Sequence, residues 1–142
     1  MGKKSGWAIG LAVAALALTP TAARAEPMPL TIELNKLEAA GEACRAYIVL
    51  HNPSPDAYTS LKLDLVMFDD DGIVARRLAV EGAPLTAGKT SLKVFDIAGL
   101  ACPSIGRILL NDVLACAGAS GAYEGCLARI ETSARGKTPF IK

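Results

Sequence analysis

Ser60-Leu-Lys-Leu-Asp-Leu-Val-Met-Phe-Asp-Asp-Asp-Gly72 holds the longest alternation of apolar and polar residues in the chain. Leu61, Leu63, Leu65 and Met67 fall on one face of a strand, with Lys62, Asp64 and Val66 on the other. The acidic run Asp69, Asp70, Asp71 cannot continue a half-buried strand, and Gly72 supplies the positive φ of a tight turn. A second apolar segment begins at Ile73. The unit reads as a β-hairpin, Leu61 to Phe68 and Ile73 to Val80, and its leucine face needs a second sheet to cover it.

Working outward, the flanking segments read as further short strands. Leu30, Ile32 and Leu34 alternate with Thr31, Glu33 and Asn35 in a strand ending near Leu37. After the turn Ala39 to Glu42, Cys44, Ala46, Ile48 and Leu50 share one face of a second strand. Tyr47 and Val49 on its other face predict a central position. Asn52-Pro-Ser-Pro-Asp56 ends that strand, because proline cannot donate to a ladder. Thr90 to Ile97 is a fifth strand, with Leu92 and Val94 on one face and Phe95 and Ile97 on the other. Ile105 to Cys116 reads as one long strand bulged at Asn111-Asp112, with a hairpin turn there as the second choice. Leu127 to Thr132 is the last strand, and the tail from Ser133 is expected to be mobile. Helix is confined to a short piece at Ile97 to Ala101 or Ala122 to Arg129. The expectation is an all-β fold, a single two-sheet antiparallel sandwich of about 6–8 strands.

The N-terminus predicts export. Lys3 and Lys4 form a positive segment, Trp7 to Leu18 an apolar one, and Ala23-Arg24-Ala25 a small-x-small cleavage site before Glu26. Residues 1–25 therefore read as a signal peptide cleaved after Ala25, and residues 26–142 as the β-sandwich domain, with the periplasm as its location. An apolar run broken by Pro20 falls short of the roughly 20 residues of a membrane span, so no stable membrane insertion is expected after signal removal. Processing removes Lys3, Lys4 and Arg24 and leaves 12 basic against 14 acidic residues. Such a balance argues against a nucleic-acid partner or an anionic membrane surface.

All four cysteines, Cys44, Cys102, Cys116 and Cys126, lie in the exported part, and an even number in an oxidising compartment predicts two disulfides. Three pairings are open. Cys116 with Cys126 is favoured, because the pair brackets the small-residue loop Ala117 to Gly125; Cys44 with Cys102 follows. In the chain-entropy account the long closure is worth about 4 kcal/mol and the short one roughly 3 kcal/mol. No Cys-x-x-Cys occurs, which favours structural bonds over redox chemistry.

Two sets of marks carry a resemblance. Asn52, the alternating Leu61 to Phe68, Asp71-Gly72, Leu85-x-Ala87-Gly88 and Val94-Phe95 resemble the pattern of small extracytoplasmic sandwich modules of the immunoglobulin-like or fibronectin-like kind. Ile32 to Glu38, Cys44-Arg-Ala-Tyr47 and Leu109 to Cys116 are similar to a family of small exported bacterial proteins of unknown function, often labelled only by a Tat-type signal. This chain departs from that label in having Lys3-Lys4 and no arginine pair. The resemblance implies a periplasmic location and brings no catalytic residue.

The candidates for chemistry fail in turn. With Gly72 at position six of a calcium loop, Met67 and Leu78 would occupy positions one and twelve, so the ligand register is lost and the acidic run reads as a solvated turn. His51, the single histidine, has no partner at metal-ligand spacing. Ser91 and Ser104 lie in no Gly-x-Ser-x-Gly context. Arg76 and Arg77 are adjacent on a strand and point to opposite faces, so they predict cross-strand pairing with Asp64, Asp69 or Asp70 and form no patch. Tyr47, Tyr58, Phe68 and Phe95 read as core or sheet-surface aromatics.

No catalytic, metal or cofactor residue is assigned, no enzyme is expected, and no cofactor is called for. Two readings remain. One is a non-enzymatic binding or assembly module that contacts a periplasmic protein partner through a sheet edge or end loops. The alternative is a cysteine-based oxidative-folding or metal-handling protein.

Overall fold

In the computed structural model, residues 28–142 are described, together with residues 2, 3 and 6. Apart from those three positions, the segment read as a signal peptide lies outside the described residues. Among the described residues, nine strands build two sheets. They are β1 (Leu30–Ala40), β2 (Ala43–His51), β3 (Ser60–Phe68), β4 (Val74–Glu81), β5 (Thr90–Ile97), β6 (Arg107–Gly118), β7 (Gly121–Ala122), β8 (Ile130–Ala134) and β9 (Phe140–Ile141). A 3-10 turn at Cys102–Ser104 and a single helical turn, α1 (Cys126–Arg129), complete the described regular structure. No helix among the described residues is long and apolar enough to cross a membrane.

The first sheet runs β5-β2-β1-β8 and the second β4-β3-β6-β7, with β9 also paired to β6. Their inner faces meet as the alternation requires. Leu61, Leu63, Leu65 and Met67 of β3 are buried against Ile32 and Leu34 of β1 and Cys44, Ala46, Ile48 and Leu50 of β2 in one core. The hairpin β3–β4 forms with Leu65 opposite Leu78 and Met67 opposite Arg76. At its tip the Asp69 carboxylate accepts hydrogen bonds from the amides of Asp71 and Ile73, at 3.0 and 2.8 Å, and Gly72 has φ 79°. The expected central place of β2 is found, between β1 and β5. β6 is one long strand whose register against β3 slips between Leu110 and Asp112, so the bulge falls at Asn111, and slips again between Val113 and Ala115.

Three expectations are corrected. The sheets are mixed: β8 runs parallel to β1, and β9 parallel to β6. The last full strand is β8, starting at Ile130, because Cys126–Arg129 forms the helical turn. The tail is tied down: Ser133 and Ala134 belong to β8, Phe140 is buried beside Ile108, and Lys142 Nζ donates to the carbonyls of Leu127, Ala128 and Ile130. A buried aromatic two residues from the end supplies the apolar area that a mobile tail lacks.

The connections between sheets are secured at both ends of the sandwich. Cys44 at the start of β2 is bonded to Cys102 in the β5–β6 crossover, and Cys116 near the end of β6 to Cys126 in the β7–β8 crossover. Each disulfide therefore fixes a segment that leaves one sheet for the other and has few ladder bonds of its own. Elsewhere Asn52, fully buried, does the same work with polar groups. Its Nδ2 donates to the carbonyls of Asp56 (2.8 Å) and Thr86 (3.3 Å), and its amide donates to Lys89 O at 3.0 Å. The β2–β3 and β4–β5 crossovers are thereby joined, and Tyr58 pairs with Leu85 beside them.

Leu65 is 1% exposed at the centre of the inner face. Leu65→Ala is expected to lower stability by about 2 to 5 kcal/mol, read from urea unfolding monitored by circular dichroism. An unchanged midpoint would mean that the hairpin faces are assigned the wrong way round.

Candidate interaction edge

A two-sheet sandwich has two lateral sides, and here they differ. On one side β8, β9 and the Lys142 contacts lace the sheets together. On the other, among the described residues, β4 pairs only with β3 and β5 only with β2, so both strands present an unpaired backbone edge. Between them lies an open cleft of about 490 Å³, based on Leu78, Val80 and Phe95 and flanked by Arg76, Lys93 and Asp96.

The outward row of β5 is unusually apolar for an edge. Leu92 is 57% and Val94 47% exposed, and they stand opposite Val49 and Tyr47 of β2. Around this patch the polar groups are engaged with one another. Arg45 makes a bidentate pair with Asp96, at 2.8 and 3.0 Å, and Tyr47 Oη donates to Glu38 Oε2 at 2.6 Å. Lys36 bonds Glu38 and sits 5.1 Å from the Tyr47 ring centroid. The Arg45 guanidinium holds the Asp96 carboxyl below its ordinary range, and Tyr47 is raised by its hydrogen bond to Glu38. The exposed Leu92 and Val94, with half-buried Tyr47 and Val49 beside them, thus form an apolar patch rimmed by polar groups that satisfy one another.

The two arginines of β4 separate as strand geometry demands. Arg77 crosses the outer face of the second sheet to Asp64, with both bonds at 2.8 Å, whereas Arg76 lies on the inner side, opposite Met67, and donates to Ala98 O. Asp64 is 2% exposed, although its alternation places it on the outward face. Asn111 Nδ2, presented by the β6 bulge, donates to it at 2.7 Å. The Arg77 hydrogen bonds, helped by Asn111, outweigh burial and lower the Asp64 pKa.

The remaining candidates are scattered. His51 Nδ1 lies 3.0 Å from Thr90 Oγ1 on the outer surface, Phe68 packs under Arg107, and Tyr58 meets Tyr123 edge-on at 5.3 Å. Ser104 shares the 3-10 turn of Cys102, and Tyr123, with Tyr58 against it, lies beside the Cys116–Cys126 bond, whereas His51, Phe68, Ser91 and the acidic turn lie apart from them; all four cysteines are in disulfides. Sequence reasoning missed the cleft. Its signal was the pairing of an apolar outward row on β5 with the inward cations Arg76 and Lys93, which only the topology brings to one side.

No family model matches the chain, and no curated protein matches it. The chain is similar to a solved structure described as the structural characterization of IrmA from Escherichia coli. The TM-score is 0.54 at 11% identity, over 73% of this chain and 90% of that one. At that identity the likeness shows the fold alone.

The lowered Asp64 pKa sets a pH dependence. A carboxyl whose folded pKa is depressed contributes stability that is complete above its unfolded value, about 3.9, and is lost as pH falls through the folded value. Asp64→Asn is expected to destabilise by on the order of 1 to 3 kcal/mol at pH 7. The gap to the unsubstituted protein should narrow below about pH 4, as measured by unfolding midpoints from pH 7 to pH 2.5. A gap independent of pH would show that Asp64 is not held as a carboxylate.

Proposed function

We propose that this is an exported, non-enzymatic binding or assembly module of the periplasm, which holds a protein partner at the β5 edge. The observation that carries the reading is the edge itself: an unpaired strand whose outward Leu92 and Val94 are exposed beside Val49 and Tyr47. Main-chain groups along such an edge give affinity to an added strand, and the apolar row gives it specificity. Two disulfides fit an oxidising compartment, and the signal-like Lys3 to Ala25 segment, with cleavage after Ala25, supports the periplasm. The resemblance to small exported proteins and to immunoglobulin-like or fibronectin-like modules agrees with this reading. The cysteine-based alternative has no comparable support, since the thiols it would use are consumed in bonds that secure crossovers.

Site-specific photo-crosslinking in the producing bacterium tests the proposal. A photoreactive side chain at Leu92 or Val94 should give a discrete protein adduct. The same group at Lys62, exposed on the outer face of the second sheet, should not. Introducing Val94→Lys should abolish the Leu92 adduct. Adducts absent at β5, or equal at all three positions, would contradict the assignment.

A further inference from the structure

The cleft between β4 and β5 has a charge arrangement that the general binding role does not use. On the inner side of β4 the alternation presents Arg76, Leu78 and Val80, and on the inner side of β5 it presents Ser91, Lys93 and Phe95. Arg76 and Lys93 thus enter the gap between the sheets from opposite walls. Most acidic groups nearby are already committed. Asp96 is held by Arg45, Asp64 by Arg77, and Glu81 Oε1 accepts from the amides of Leu61 and Ala83. Arg76 and Lys93 instead donate to backbone carbonyls, Ala98 O and, at 3.2 Å, Ala83 O, and among the described residues neither has a carboxylate partner.

We propose that this cleft accepts an extended, acidic peptide segment of the partner. The segment aligns along the free edge of β5, with carboxylates directed inward at Lys93 and Arg76 and apolar side chains outward beside Leu92 and Val94. The inference rests on the reading of β5 as the partner-binding edge and adds the chemistry of what binds there. Alternation makes the requirement specific, because an added strand shares the faces of its neighbour: residues joining the outward row must be apolar and those between them anionic. An inward charge on an edge strand guards against indiscriminate pairing, and it admits a strand that brings the opposite charge. The same charge disfavours a second copy of this chain. In a two-fold antiparallel β5–β5 contact that sets Leu92 opposite Val94, Lys93 faces Lys93, and like charges directly opposed destabilise a sheet pair. The apolar base of Leu78, Val80 and Phe95 gives the inward carboxylates a low-dielectric wall, which strengthens their attraction to the cations.

The probe is a blocked seven-residue peptide alternating valine and glutamate, compared with its valine–lysine counterpart. Each is titrated by fluorescence anisotropy into the protein recovered from an exporting host with both disulfides formed. The glutamate peptide should bind at least about tenfold more tightly than the lysine peptide, and added salt should narrow that ratio. Lys93→Glu should reverse the preference, and Lys93→Gln should reduce it. Unfolding midpoints of both variants establish that the fold is intact. Equal binding of the two peptides, or no binding of either by a protein that still crosslinks its partner through Leu92, would overturn the acidic-strand inference and leave the β5 assignment standing. Concentration-dependent dimerisation that increases in Lys93→Gln would assign the edge to a second copy and overturn it as well. Absence of the β5 crosslink is the separate result that removes the underlying reading.

Discussion

The inner face of β3, with Leu61, Leu63, Leu65 and Met67 all essentially buried, can leave water only if a second sheet lies on it. Most of the architecture answers that demand. The chain must then pass repeatedly between sheets, and crossing segments cannot rely on ladder hydrogen bonds. Covalent bonds secure two crossings, at Cys102 and Cys126, and the buried Asn52 amide joins two more. With their ends fixed in this way, the sheets need no ladder pairing along one lateral side, where hydrogen bonds from Arg76 to Ala98 O and from Lys93 to Ala83 O reach across. That side is where β4 and β5 remain unpaired.

The asymmetry between the two sides has a simple physical origin. The C-terminal segment adds β8 to the first sheet and β9 to the second, where Phe140 is buried as the ladder partner of Ile108. No comparable segment among the described residues covers β4 and β5. Their inward cations and outward apolar row give an unpaired edge that carries an inward charge, a device that resists indiscriminate pairing and that underlies the proposed acidic strand. The Asp64, Arg77 and Asn111 cluster, on the outer face of the second sheet, is distinct from this edge. It engages Arg77 and so leaves Arg76 as the cation that β4 offers to the cleft.

Much of the fold was legible in local pattern. The hairpin, the central place of β2, the β5 faces and the Asn111 bulge each follow from alternation and turn chemistry within about a dozen residues. The features that escaped depend on partners distant in sequence. The pairing of Arg77 with Asp64 was legible, but the burial of Asp64 was not, because Asn111, 47 residues away, is brought to it by the β6 bulge. β8 and β9 pair in parallel, and parallel pairing leaves no turn signal between the strands it joins. Phe140-Ile141 was the one cue that the tail returns to the core. The candidate edge was hidden for the same reason, since Leu92 and Val94 look like ordinary sheet residues until the strand order places β5 at a margin.

The central claim is that β5 is stable yet half unpaired, and hydrogen exchange along Thr90 to Ile97 addresses it directly. In the protein alone, amides directed at β2 should be protected, and those directed outward should exchange at rates close to those of exposed loops. β1, paired on both sides, should show protection at nearly every residue between Ile32 and Leu34. Adding the valine–glutamate peptide should then slow the amides on the free edge of β5 and leave those directed at β2 unchanged. Uniform protection of β5 in the free protein, or unchanged outward exchange in the complex, would contradict the account.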